Sequence, residues 1–127
     1  MKDSNDMTKI YGKEIVNLKQ EQEINLDKIS SLLKSKLKKQ LLKFVDSIYL
    51  GDFKELKERG AKSVYAEGAI YVLLKKDSTE QTIFEDIVHE IGHSILESNK
   101  EVLELVEHEF LVKRELLYER LVLNDVI

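Results

Sequence analysis

At 127 residues the chain has the length of one domain with one modest core. It is 43% hydrophobic and 35% charged, a globular balance, and its net charge of −4 lacks the basic excess that contact with nucleic-acid phosphates requires. The absence of cysteine excludes disulfides, thiolate metal sites and a cysteine nucleophile.

The start, Met1-Lys2-Asp3-Ser4-Asn5-Asp6, is polar and charged, unlike a secretory leader, and no apolar run reaches membrane-spanning length. The expectation is a soluble cytoplasmic protein. Residues 1–7 read as loose. Over about 8–22, Ile10, Ile15, Val16 and Leu18 predict a weak helix, with Gly12 counting against it. Asn25 or Asp27 then caps a longer helix to about residue 49, with Leu26, Ile29, Leu33, Leu37, Leu41, Val45 and Ile48 on its apolar face. Lys34, Lys36, Lys38, Lys39 and Lys43 form the opposite face, either solvated or a basic binding patch. Gly51 ends that helix. Asp52 caps a short one carrying Phe53 and Leu56, and Gly60 stops it. The pattern then turns β-like, with a strand over 69–75 and a shorter strand or turn around 64–66. After a turn at 76–79, Ser78 or Thr79 caps a helix to about residue 98. Asn99-Lys100 is a break, and a last helix spans about 101–123. These elements define an α+β class: a mostly helical single domain, 1–127, with a small β-sheet or hairpin. Its N-terminal helical part covers about 8–60 and its core about 62–120.

The chemistry centres on Val88-His89-Glu90-Ile91-Gly92-His93-Ser94, an H-E-x-x-H pattern. With three histidines in the chain, chance would produce the bare pattern roughly 0.006 times per chain of this composition. On a helix, His89 and His93 stack one turn apart and offer two imidazoles to one ion, while Glu90 reaches a water beside it. Zinc suits such nitrogen and carboxylate ligands. Ile83, Phe84, Ile87, Val88, Ile91 and Ile95 form an apolar stripe roughly opposite the histidines. The alternative is a polar, solvated face.

A tight zinc site needs a third ligand. An extended pattern with Gly at 96 and His at 99 is excluded, because Leu96 and Asn99 stand there. In the last helix, Glu109 falls near the centre of the apolar face set by Val102, Val106 and Phe110, so it is a candidate ligand. His108 is the rival, and an i, i+4 pair between Glu109 and Lys113 is the structural alternative. Asp86, three residues before His89, either accepts a hydrogen bond from an imidazole or simply complements the helix start. Tyr71, Tyr118 and His108 are candidates for stabilising an oxyanion.

The order strand, H-E-x-x-H helix, break and glutamate helix resembles the gluzincin zinc metallopeptidases. The stretch Tyr65-Ala66-Glu67-Gly68-Ala69-Ile70-Tyr71-Val72, followed by Glu85-Asp86-Ile87-Val88-His89-Glu90-Ile91-Gly92-His93, is similar to the minimal soluble minigluzincins. It also resembles the catalytic cores of membrane peptidases related to CAAX-processing and heat-shock proteases. The resemblance covers about 62–120. In the membrane relatives E-x-x-A-D follows the zinc helix, where this chain reads Glu109-Phe110-Leu111-Val112-Lys113. The resemblance implies a zincin-like fold with the active-site helix packed against a glutamate helix. It also implies that strand 69–74 forms the cleft's upper rim and pairs with an extended substrate. Latency is implied as well, through the tail Leu123-Asn124-Asp125-Val126-Ile127 or a neighbouring copy in a homo-oligomer. The expected function is a Zn²⁺-dependent endopeptidase acting on peptide or unfolded-protein substrates, with His89, His93 and Glu109 as metal ligands and Glu90 as general base. The competing expectation is an inactive or self-blocked zinc-binding interaction module.

Overall fold

Two turns, each ending in glycine, organise the sheet. Tyr11 and Gly12 have φ of 49° and 81°, and Glu67 and Gly68 have 50° and 88°. Positive φ at both central residues of a two-residue loop makes each a type I′ turn, whose twist matches that of a β-hairpin. The computed structural model describes residues 6–98. Its elements are β1 (Met7–Ile10), β2 (Lys13–Asn17), α1 (Leu26–Lys36), a 3-10 turn (Lys39–Leu42), β3 (Ser47–Gly51), α2 (Lys54–Arg59), β4 (Ser63–Ala66), β5 (Ala69–Leu73) and α3 (Glu80–Ser98).

The strands form one mixed sheet in the order β1-β2-β3-β5-β4. Each hairpin is antiparallel, and the inner strands β2 and β5 both run parallel to β3. The domain is therefore α+β, but its sheet is larger than the small sheet or hairpin the sequence suggests. α1 and α3 pack together over one face. There Ile10, Ile15, Ile48, Leu50, Ile70 and Val72 meet Ile29, Leu33, Ile83, Ile87, Val88, Ile91 and Ile95 in one buried core. Across the opposite face runs a row in register: Met7, Val16, Tyr49, Tyr71 and Val64.

The helix expected over 8–22 is the β1–β2 hairpin instead. Ile15 and Asn17 are buried while Glu14 is exposed, an alternation of period two rather than 3.6. The helix expected to reach residue 49 stops at Lys36, where Leu37 turns extended with φ −126° and ψ 140°. Leu41 and Leu42 are buried from a 3-10 turn, and residues 47–51 leave the helix to become the central strand. Asn25 is the N-cap, accepting from the Lys28 N–H at 3.1 Å. Lys34, Lys36, Lys38, Lys39 and Lys43 are exposed. At the start of the short helix α2 the N-cap position falls on Phe53, with no side-chain cap; Asp52, expected as the cap, instead pairs its carboxylate with Lys57, and Gly60 ends the helix with φ 66°. The strand expected over 69–75 is β5. Among the described residues no helix is long and apolar enough to cross a membrane. The break at 99–100 and the helix expected over 101–123 lie outside them.

Candidate metal centre

The N-terminus of α3 is held by reciprocal caps. Thr82 N–H donates to Thr79 Oγ1 at 3.1 Å, and Thr79 N–H donates to Thr82 Oγ1 at 3.0 Å. Glu80 accepts the Asn25 N–H at 3.0 Å, which ties the start of α3 to that of α1 and holds its carboxyl below the usual range. The apolar stripe of α3 then packs into the core, which fixes the roll of the helix and hence the direction of its other residues.

That roll leaves His89 and His93 half-buried and facing each other one turn apart. Their Nε2 atoms are 3.0 Å apart, with ring centroids at 4.7 Å and planes at 75°. Two nitrogen ligands on a tetrahedral zinc-sized ion would lie about 3.3 Å apart, so a small opening of the pair admits one. Glu90 is the one buried charged side chain among the described residues, only 4% exposed. Ser63 Oγ donates to its Oε2 at 2.7 Å, and the backbone of Tyr65 beside it draws the carboxyl down. Burial is the largest influence and pushes the Glu90 carboxyl up, against the pull of Ser63. Ligand atoms of His89, Glu90 and His93 all lie within 4.8 Å of one another, a group able to hold a metal ion.

The structure thus brings together His89, Glu90 and His93. Glu109, His108, Tyr118 and the tail 123–127 lie outside the described residues. Asp86 is half-buried; burial raises its carboxyl, while Lys62 and His89 draw it down. Tyr71 is corrected as an oxyanion candidate. It stacks on Tyr49 and meets Phe53 edge-on, both at 5.5 Å between centroids. With Phe53, Leu56 and Val64 it lines a cavity of about 430 Å³ on the sheet face away from α3.

The expected upper rim is corrected too. β5 is paired on both sides, with β3 and with β4, so its backbone has no free edge for a substrate. The edge strand beside α3 is β4. Ser63, absent from the sequence reading, is the residue this arrangement adds to the site. A lone serine at a strand start carries no individual signal, and its direction follows only from strand register.

No protein-family model, curated protein or solved structure matches this chain.

Proposed function

We propose that the chain is a zinc-dependent endopeptidase of the H-E-x-x-H type, gluzincin-like as the sequence pattern suggests. His89 and His93 hold the ion, Glu109 completes the protein ligands, and Glu90 is the general base. The supporting observation is the pair of facing imidazole nitrogens 3.0 Å apart beside a buried carboxylate. Two neutral nitrogen donors and oxygen ligands suit zinc. A bound zinc supplies Lewis acidity at the substrate carbonyl and makes water a stronger acid, lowering its pKa to about 7 from 15.7.

The protein's own groups do the rest. Glu90, its carboxyl raised by burial, is a stronger base near neutrality than a solvated glutamate. Its carboxylate takes the proton from the attacking water and delivers it to the leaving amine. Among the described residues β4 is an edge strand, and such a strand offers an extended peptide a partner to pair with, which favours peptide or unfolded-protein substrates. Occupation of the cleft by residues 123–127, or by a second copy, would keep the enzyme latent.

A second reading, a zinc-binding interaction module without turnover, is favoured by one observation. The row of Met7, Val16, Tyr49, Tyr71 and Val64 crosses all five strands, and Met7 is 41% exposed. Activity on an unfolded protein, read beside size exclusion over a concentration series, separates the two. Metal analysis of wild type, Glu109→Ala and His108→Ala tests the third ligand. Near-stoichiometric zinc in wild type and its loss in Glu109→Ala support the assignment, and full retention in Glu109→Ala overturns it.

A further inference from the structure

The Leu73 N–H donates to the Lys62 carbonyl at 2.8 Å. Antiparallel pairing alternates, so residues 62, 64 and 66 turn their backbone groups toward β5 while Ser63 and Tyr65 turn theirs outward. Side chains alternate as well. Ser63 is paired with buried Val72 and shares its face, the face that α3 covers. Here a strand hydroxyl donates to a helix carboxylate, beside the outward-turned backbone of Tyr65.

A glutamate has three side-chain torsions, and several staggered rotamers are open to it on a helix. The Ser63 hydroxyl of a neighbouring strand limits that freedom, and a hydrogen bond to a carboxylate is among the stronger kinds. Resting on the reading of Glu90 as the base, we propose that Ser63 is a positioning residue. Its hydroxyl holds the Glu90 carboxylate on the edge of β4 and aims it at the His89–His93 pair. In this role Ser63 acts through Glu90 rather than on the reacting atoms.

The test compares Ser63→Ala and Ser63→Thr with wild type in two measurements. In peptide cleavage by the zinc-loaded protein, Ser63→Ala lowers kcat by about tenfold to a hundredfold with KM unchanged, as loss of a charged hydrogen bond predicts. Ser63→Thr, which keeps the hydroxyl, restores most of it. In the metal-free protein, the ¹³Cδ resonance of Glu90, assigned by its disappearance in Glu90→Gln, moves in Ser63→Ala and returns in Ser63→Thr. An unmoved resonance, or a loss carried by KM alone, overturns the proposal. If wild type binds zinc but cleaves nothing, the peptidase reading fails, and the Glu90 resonance still decides whether Ser63 holds the carboxylate. Should Ser63→Ala fold poorly, Ser63→Cys replaces it, with a weaker donor of similar size and the same expected directions.

Discussion

The β1–β2 and β4–β5 hairpins turn alike and lie at opposite edges of one sheet, each with its inner strand parallel to β3. Each is followed by a helix on the same face, α1 against β1 and α3 against β4. What the helices bring to those edges differs. At β1, Ser30 donates its hydroxyl to the Lys9 carbonyl at 2.8 Å, and Thr8 donates to Asp27 at 2.7 Å. Such bonds seal an edge strand with neutral or exposed groups. At β4 the helix presents a buried carboxylate and two imidazoles. Burying a charge costs stability, so this edge gives up stability that the other keeps. The same scaffold thus makes a closure on one side and holds the His89, Glu90 and His93 group on the other.

The sharpest way to break that contrast is at the two helix side chains. Glu90→Ala should keep zinc, by metal analysis, and lose cleavage by about a thousandfold, the range of a lost general base. Ser30→Ala should leave kcat and KM unchanged and cost about 1 kcal/mol in urea unfolding, as loss of one buried hydrogen bond predicts. If Ser30→Ala abolished cleavage, the two edges would not be separable in function.

The turns give a smaller difference. Gly12→Ala and Gly68→Ala both force an L side chain into positive φ, at about 1–2 kcal/mol each. A Cβ at Gly12 would meet nothing within 4 Å, whereas one at Gly68 would lie 2.5 Å from Asp46 Oδ2. Gly68→Ala should therefore be the more destabilising in denaturant titrations, and Asp46→Ala beside it should shrink the gap.

The smallest effect is one of sign with pH. Because burial raises the Glu90 carboxyl in the folded protein, the unfolded chain loses its proton first as pH rises. Native stability therefore falls as pH climbs from the ordinary glutamate range through the raised value, and is restored on acidification. Metal-free Glu90→Gln should melt above wild type at neutral pH, with the difference vanishing below the ordinary glutamate range. A constant difference across that range would mean that Glu90 ionises as freely in the fold as in water.

The two halves were also unequally legible. Both histidines and Glu90 lie within five residues on one helix, so spacing alone sets their geometry. The stripe from Ile83 to Ile95 and the Thr79 cap marked that helix. Tyr11-Gly12 carries the same turn chemistry as Glu67-Gly68, but Ile10, Ile15, Val16 and Leu18 also fit a helical spacing, within which Gly12 reads as a helix flaw rather than as a turn. β3 was hidden because leucines continue from Leu37 to Leu42 without a proline or glycine between them, and the chain leaves the helix for tertiary reasons. Ser63 depends on strand order, which local pattern does not encode. Whatever residues 99–127 contribute, Glu109 included, lies outside the described residues.

The middle strand has a consequence for assembly. Both hairpins can close from neighbouring residues, but β3 must find one companion from each side of the chain, and such distant pairings form slowly. A slip of a single residue there would swap Ile48 and Tyr49 between faces and put a phenol ring beneath the histidine helix. Correct seating of five central residues therefore decides whether the floor under His89, Glu90 and His93 is ever laid.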